Sequence, residues 1–474
     1  MVNSWLMEQL STLDAGFLQA EDGDRRVSLA VGGLSILEGP IPDYYELLDG
    51  ISERLLSIPR FKQVVRTQLF DLGAPEWVDT VDFNLLHHVR RAAVPQPGDD
   101  QALFRLVADV MERRLDRDRP LWECWVIEGL AEGRWALLMK LHHCIADGIA
   151  TMRLLATLSD DRGGETFVGK IRAAHEPSHE PLRLPKPGLN PLNWVEGAWA
   201  AATAISGVAV LAAQGALEIA GGILRPAAVS SLVGPITTRR RYSAAQVSLE
   251  DVAKVRSAFD VTLNDVALTA ITDSFRAAFI RRGEGPRPDS LPTLVPVSIR
   301  SNDAMDRIDN RVSVMLPYLP VDKLDPAEQL DAVHKRLTKV KGSGQRQAGT
   351  FFVSAVNLIP YPFTAWAVRV LTRLPQRGIA TLATNVPGPR QRMRIMGREV
   401  VRALPIPPIA VQLRTVIAIV TYADDLVFGI TADYDAAPDV DELARGIERG
   451  VARLVEAAMT PPVGDGRKTS EARR

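Results

Sequence analysis

Trp135-Ala136-Leu137-Leu138-Met139-Lys140-Leu141-His142-His143-Cys144-Ile145-Ala146-Asp147-Gly148 runs from an apolar strand pattern straight into two adjacent histidines and an Asp-Gly pair. Upstream, Trp122 to Leu130 is a first run rich in Trp, Val and Ile, and Ala131-Glu132-Gly133-Arg134 has the composition of a turn. The two runs predict a β-hairpin whose second strand ends at the histidines. Downstream, Ile149, Met152, Leu155 and Leu158 recur at helical spacing. The histidines therefore fall in a strand–loop–helix corner, where a side chain is held rigidly and can still face a cavity.

Two histidines followed after three residues by Asp-Gly make the pattern HHxxxDG. With seven histidines in the chain, a chance match at these fixed positions is expected on the order of once in a thousand such proteins. An uncharged imidazole, with a reference pKa of about 6.5, is the side chain suited to taking a hydroxyl proton near neutral pH. Consecutive side chains on an extended backbone point to opposite faces, so His142 and His143 do not act on one atom. One faces the reaction and the other supports it. That divergence, with no third ligand at useful spacing, argues against a metal site. Cys144 has no orienting partner in the pattern and reads as core rather than as a thiol nucleophile. Trp122 and Trp125 read as core anchors. His87-His88 repeats the dipeptide, but Val89-Arg90-Arg91 follows it, and the stretch reads as a surface strand.

The chain has 474 residues, 46% of them hydrophobic, which is ample for a packed core and predicts two domains. A formal net charge of -1 gives no basic bias toward nucleic acid. Cys124 and Cys144 cannot build a disulfide framework, and no basic-then-apolar leader follows Met1, so a reducing cytoplasm is expected. Residues 161–193, rich in Gly, Pro, Arg, His and Glu, read as a linker. Gly197 to Leu217 carries no charge and has Trp194 and Trp199 beside it. Its length would just reach across a bilayer, but Ala and Gly contribute little to insertion and Thr203, Ser206 and Gln214 interrupt it. A packed or interfacial helix is expected there. Beyond it, Leu249 to Ile280 predicts helix in two pieces around Thr262-Leu263-Asn264-Asp265. Thr293 to Ile299 and Val312 to Leu319 predict strands, and Thr415 to Tyr422 with Leu426 to Ala432 predict a hairpin around Asp424-Asp425. In the last helix Asp439 is the expected cap, with Glu442 at the capping-box position. Val440, Leu443, Ile447, Val451, Leu454, Val455 and Ala458 line one of its faces. The expected division is an N-terminal half over 1–180, a linker with the apolar helix over 181–240, a C-terminal half over 241–462 and a disordered tail over 463–474.

With these residues in view, the chain resembles the bifunctional wax ester synthase/diacylglycerol acyltransferase family over nearly its whole length. Leu13-Asp14-Ala15-Gly16-Phe17-Leu18 is similar to the family's N-terminal motif, and Pro120-Leu121-Trp122-Glu123 to its PLW element. His142 to Gly148 matches its active-site motif, and Asn264-Asp265-Val266 looks like its ND motif. Pro296-Val297-Ser298-Ile299-Arg300 and Asn385-Val386-Pro387-Gly388-Pro389 resemble two further blocks, in the family's order and approximate spacing. HHxxxDG alone would indicate only the wider CoA-dependent acyltransferase superfamily; the set is specific. The resemblance implies an α/β (α+β) fold of two chloramphenicol-acetyltransferase-like halves joined by a helical crossover, with the active-site channel between them and one substrate entering from each side.

The resemblance also implies roles. His143 is the general base that takes the acceptor hydroxyl proton as the oxygen attacks an acyl-CoA thioester, then returns it to the leaving thiolate. His142 orders the loop. A carboxylate left unpaired beside the imidazole would raise its pKa, so Asp147 reads as structural and paired with an arginine, Arg300 being the candidate. Gly148 permits the sharp turn into the helix. Asn264 and Asn385 carry amides able to donate to an oxyanion or orient a substrate. By composition alone Asn264-Asp265 reads as helix capping, and Asn385 to Pro389 reads about equally as a tight turn. Arg239-Arg240-Arg241 is expected to be a solvated face, with acidic lipid headgroups or CoA phosphates as its other reading.

The expected activity is transfer of a long-chain acyl group from acyl-CoA, a co-substrate, to diacylglycerol, with no further cofactor. Long-chain fatty alcohol is the alternative acceptor, giving a wax ester. A condensation-type transferase with a carrier-bound donor and a non-catalytic lipid-binding protein are the competing classes. A product more apolar than either substrate implies a cytoplasmic enzyme held peripherally at a membrane or lipid-droplet surface, with Gly197–Leu217 as the expected contact.

Overall fold

The computed structural model describes residues 8–68, 73–145, 157–160, 230–298, 312–342, 361–373, 378–410 and 412–460. Up to His142 the elements are β1 (Glu8–Gln9), α1 (Thr12–Gly23), β2 (Ala30–Leu37), α2 (Tyr44–Leu55), β3 (Gln63–Arg66), β4 (Glu76–Asp79), β5 (Val89–Ala93), α3 (Asp100–Glu112), β6 (Trp122–Glu128) and β7 (Trp135–His142). Later in the chain come β8 (Arg240–Ser248), α4 (Leu249–Phe259), α5 (Leu263–Arg281), β9 (Thr293–Ser298), β10 (Val312–Met315), α6 (Pro326–Gly342) and α7 (Tyr361–Arg373). The last are β11 (Thr381–Val386), β12 (Arg394–Ile395), β13 (Arg398–Ile406), β14 (Thr415–Tyr422), β15 (Asp425–Asp433) and α8 (Val440–Met459).

Two six-stranded sheets organise these elements, in the orders β12-β13-β2-β7-β6-β5 and β10-β9-β11-β14-β15-β8. A three-stranded sheet, β1-β4-β3, flanks the first. The hairpin read from Trp122 onward is present: β6 and β7 pair antiparallel from Trp122↔Leu141 to Ile127↔Ala136. On its other edge β7 pairs antiparallel with β2, from Ala30↔His142 to Leu37↔Trp135. A strand with partners on both edges and packing on both faces has no solvated side, which is why every residue of β7 is buried and its sequence is apolar except at Lys140 and His142. Lys140 is the charged exception within the strand. Its ammonium donates to the carbonyls of Val110 at 2.8 Å and Arg113 at 2.6 Å, at the C-terminal end of α3, which satisfies both ends of an otherwise costly burial.

The first sheet is not built from the first half of the chain alone. β13 adds antiparallel to β2, with Ala403 opposite Ser35 and Ile406 opposite Gly32, and carries β12 with it. Asp160 holds the tip of that hairpin: its carboxylate accepts from the amides of Met396 and Gly397 at 2.8 and 2.6 Å and from Arg54 at 2.8 Å. The second sheet meets the first where β15 crosses β13. Gly429 stands there, and a Cβ built on it would lie 1.7 Å from the Pro405 carbonyl oxygen. The Tyr242 hydroxyl of β8 donates to that same oxygen at 3.0 Å, and its ring meets Phe104 of α3 edge-on at 5.2 Å. Only glycine allows this approach of two backbones.

In the second half the two helical pieces are α4 and α5, with Thr262 as the cap between them. The β14–β15 hairpin runs in register from Thr415↔Ala432 to Tyr422↔Asp425. α8 buries Val440, Leu443, Ile447, Val451 and Leu454, the face read from the sequence, against α5 and the second sheet.

Three expectations are corrected. His88 is not on a surface strand. Leu85–His87 form a 3₁₀ turn, and the buried His88 ring stacks between Phe83 and Trp122 at 5.3 and 4.5 Å while its Nδ1 bonds the Trp122 carbonyl at 2.8 Å. Aromatic stacking outweighs the polar character read from the dipeptide. Arg240 is not part of a solvated face. It is buried at the start of β8, where its guanidinium donates to the carbonyls of Thr237, Arg239 and Arg26 and lies 3.8 Å from Asp433. Arg239 and Arg241 instead place their guanidiniums over the Tyr434 ring, 3.6 and 3.9 Å from its centroid. Asp439 occupies the N-cap of α8 but makes no capping bond, because Arg281 and Arg282 take its carboxylate. Residues 149–156 of the helix expected from Ile149 to Leu158, the linker, Gly197–Leu217 and the tail 463–474 lie outside the described residues.

The contact between β13 and β15 sets a stability test. Gly429→Ala is expected to lower unfolding stability by about 1–3 kcal/mol or more, the cost of overpacking against backbone that cannot move aside. Gly285→Ala, where a Cβ meets nothing within 4 Å, should change stability by less than about 0.5 kcal/mol. Thermal melts of the two variants beside the parent make the comparison.

Candidate active site

The histidines sit where β7 runs out between two neighbours. The His142 amide donates to the Leu121 carbonyl at 3.0 Å, which is why the Pro-Leu-Trp element stands beside the motif. The His143 amide donates to the Leu29 carbonyl at 2.9 Å, at the start of β2. The chain then turns, with the Ile145 amide bonded to the His142 carbonyl at 2.9 Å. The two imidazoles part there. His142 is fully buried, and His143 is half-buried. Nδ1 of His142 accepts the Cys144 amide at 3.2 Å, so this ring holds the turn from inside.

Helix α1 lies over both rings. Ser11 caps it, accepting the Asp14 amide at 3.1 Å, and so fixes where its first turn begins. Phe17 lies against His143 with ring centroids 4.1 Å apart and planes 35° from parallel. A Cβ added at the neighbouring Gly16 would meet nothing within 4 Å, so there is open space beside this contact. One helical turn later Glu21 is buried, with Oε2 3.6 Å from Nε2 of His142. Arg117 donates to the same Oε2 at 2.6 Å, and the Leu29 amide donates to Oε1 at 3.0 Å. Burial pushes the Glu21 carboxyl up. The contact with His142, then Arg117 and the Leu29 amide, outweigh that and bring it down to about 2. Between Phe17 and Glu21, Gln19 donates to the Tyr361 hydroxyl of α7 at 2.7 Å, which ties α1 to the second half of the chain.

Cys144 is free and buried, and burial pushes its thiol well up, which fits packing rather than nucleophilic use. Asp265 closes a capping box at the start of α5: its carboxylate accepts from the Thr262 amide at 2.8 Å and the Thr262 hydroxyl at 2.9 Å. His334 of α6 donates to the same oxygen at 2.9 Å. Asn264 is half-buried in the first turn of that helix. Asn385 is half-buried on β11 opposite Ile419, and Val386 beside it packs into the core cluster that also holds Leu141 and Cys144. Gly388 follows because the chain crosses Thr421 there: a Cβ would lie 2.0 Å from its carbonyl oxygen, and the Gly388 amide donates to the Thr421 hydroxyl at 3.0 Å. Asp147, Gly148 and Arg300 lie outside the described residues.

A family model, the wax ester synthase/diacylglycerol acyltransferase catalytic domain, matches residues 10–267, and the C-terminal domain of the same family matches residues 308–454. The chain belongs to this family. It is 56% identical over 449 residues to a probable diacylglycerol O-acyltransferase (tgs1) of Mycobacterium tuberculosis, covering 95% of this chain and 96% of that one. Among solved structures it is similar to the wax ester synthase/diacylglycerol acyltransferase of Marinobacter aquaeolei, with a TM-score of 0.67 at 24% identity, over 95% of this chain and 99% of that one. A starter condensation domain of rhizomide synthetase, solved with C8-CoA and Leu-SNAC, superposes with a TM-score of 0.57 at 12% identity over 95% of this chain and 94% of that one. These likenesses are of fold. The two α/β halves implied by the resemblance are the architecture found, each built on a six-stranded sheet. Among the described residues no helix is long and apolar enough to cross a membrane.

Glu21 and Arg117 were missed in the sequence. The available signal was spacing: Glu21 stands four residues after Phe17 and therefore on the same helical face. Because its carboxyl titrates lower in the folded chain than the ordinary 4.5, the stabilisation it contributes is complete above that pH. It is lost as pH falls toward about 2. The full loss is on the order of 3 kcal/mol. Urea unfolding of the parent and Glu21→Gln at pH 7, 5, 4 and 3 should give stability curves that converge with acid. Curves that stay parallel to pH 3 would mean the folded carboxyl is not held ionised.

Proposed function

We propose that this chain is an acyl-CoA-dependent diacylglycerol O-acyltransferase that makes triacylglycerol, with His143 as general base. The observation that carries the reading is the His142-His143 corner: one ring locked inside the fold, the other half-buried at the strand end against Phe17, in a chain 56% identical to a protein named for this activity. Uncharged His143 takes the proton of the acceptor hydroxyl as its oxygen forms a bond to the thioester carbonyl carbon. The tetrahedral intermediate collapses, the carbon–sulfur bond breaks, and the imidazolium returns the proton to the leaving CoA thiolate. Triacylglycerol and free CoA result, and the imidazole is uncharged again.

Base catalysis of this kind contributes about 10²–10⁴ in rate, and the rest comes from positioning and from donors to the oxyanion. Asn385 is the candidate donor, since Val386 beside it already packs in the core that holds the motif strand. Asn264 is the second candidate. Asp265 serves the helix cap and supports that position indirectly. Asp147 keeps its proposed structural pairing with an arginine, Arg300 being the candidate, and Gly148 its turn. The halves keep the proposed boundaries, 1–180 and 241–462, joined by 181–240. Both substrates are long-chain lipids or lipid conjugates, so the enzyme works peripherally at a membrane or lipid-droplet surface, with Gly197–Leu217 as the contact.

The deciding assay incubates the full chain with labelled palmitoyl-CoA and either dioleoylglycerol or hexadecanol, and resolves the products. Labelled triacylglycerol in the first arm is expected to exceed wax ester in the second. His143→Ala should lower kcat by about 10²–10⁴ with the fold intact. Turnover that survives this substitution unchanged would remove the base assignment. Transfer that needs an acyl carrier protein in place of free acyl-CoA would replace the donor.

A further inference from the structure

We infer that Glu21 is a positioning residue for the catalytic corner, holding His143 in place by two routes that converge on its backbone. The first route runs through the main chain. Glu21 Oε1 accepts the Leu29 amide at 3.0 Å, and the carbonyl of the same Leu29 accepts the His143 amide at 2.9 Å. The second runs through His142. The Cys144 amide can only donate, so the Nδ1 it meets at 3.2 Å carries a lone pair and not a proton. The ring proton of uncharged His142 is therefore on Nε2, which is the nitrogen facing Glu21 Oε2 at 3.6 Å. A carboxylate in that place favours a proton on the nitrogen that faces it. It selects the tautomer whose other nitrogen closes the turn after His142. The neighbouring Phe17 contact fixes the His143 ring from the same helix, so α1 acts on both imidazoles at once.

Glu21 is built to stay in this place. Arg117 balances its charge at 2.6 Å, and both the carboxylate and the imidazole it faces are buried. The helix does not depend on that carboxylate for its seat. Arg114 donates to the carbonyls of Glu21, Asp24 and Val27 at 2.5, 2.6 and 2.9 Å, holding the end of α1 and the turn after it through main-chain atoms alone. Removing the Glu21 charge should therefore lower stability but leave α1 in place, so that a folded variant reports on the corner. Glu21 touches no reacting atom in this scheme, and its effect is on where His143 points.

The proposal rests on the reading of His143 as the base, and the test separates the two. Steady-state kinetics with palmitoyl-CoA and dioleoylglycerol, on folded full-length protein, should show kcat of Glu21→Gln lower by about ten- to a hundredfold with KM for palmitoyl-CoA changed by less than about twofold, as expected for misplacement of a catalytic group. His142→Gln should fall by a similar factor. The double variant should lose no more than the worse single, because both act through one turn. A folded Glu21→Gln with parental kcat, or a double variant whose losses multiply, overturns the proposal. The second readout does not use catalysis. Nitrogen NMR of histidine-labelled protein, with seven histidines and the His142 signals assigned by their absence in His142→Gln, should show His142 protonated on Nε2 in the parent. That preference should be lost in Glu21→Gln. A parent His142 protonated on Nδ1, or a preference unchanged by the substitution, overturns it as well. Should His143→Ala keep its turnover, the base assignment fails, and the tautomer still decides whether Glu21 sets the turn.

Discussion

Two backbone hydrogen bonds hold the end of β7: His142 to Leu121 on one side and His143 to Leu29 on the other. A strand end is normally where order fades, since the ladder stops and water competes for the last amides. Here the ladder is carried one residue past the strand on the β2 side, so a residue that has left the sheet is still aimed by it. The rest of the first half follows from this constraint. β7 must have a partner on each edge, it must be buried on both faces, and its residues must be apolar wherever they are not individually satisfied, as Lys140 is by the end of α3.

The same constraint explains why the chain crosses between its halves. β2 reaches β7 with one edge and needs a partner on the other, and the strand that supplies it, β13, comes from more than 350 residues later in the chain (Ala403 opposite Ser35). Once β13 is there, the second sheet follows it inward. β15 passes so close to β13 that Gly429 faces the Pro405 carbonyl, and Tyr242 bonds the same oxygen. The two sheets thus share a close seam, and Gln19 with Tyr361 makes a second tie from α1 to α7. A site framed by both halves needs both to hold still relative to each other. Contacts between main-chain atoms do this with less slack than contacts between long side chains.

What could be read from the sequence were features decided locally. The β6–β7 hairpin, the β14–β15 hairpin, the break between α4 and α5 around Thr262 to Asp265, and the apolar face of α8 each depend on residues near one another in the chain, and each is where its pattern put it, although the capping residue is Thr262 and Asn264 lies inside the helix. What could not be read depends on partners far away. Nothing in Arg398–Ile406 says that it joins the first sheet. His88 looks polar until Trp122 and Phe83 are brought around it, and Arg240 looks like one of three surface arginines until Asp433 and the carbonyl of Arg26 arrive. Asp439 sits at the position expected of it, but distant arginines claim its carboxylate before the helix amides can. At the site itself the histidines were legible from their spacing, whereas Glu21 was not. Its spacing from Phe17 puts it on one helical face with that ring, but nothing local marks that face as buried beside His142.

Compared with an apolar group of the same shape, a buried ionic group seldom adds net stability, even though neutralising one member of a formed pair is costly. Arg117, Glu21 and His142 are therefore poorly explained as a device for holding the first half together, a task the apolar β7 and its neighbours already perform. Their distinguishing property is direction. An apolar contact tolerates rotation of an imidazole by tens of degrees and does not care which nitrogen bears the proton. A carboxylate on one side and an amide on the other allow a single tautomer and a narrow range of ring angles. If His143 is the base proposed above, which must meet a hydroxyl proton near 3 Å, that restriction on its neighbour is worth more than the same atoms would be as packing. The polar core beneath this corner is best understood as geometry held at the expense of stability.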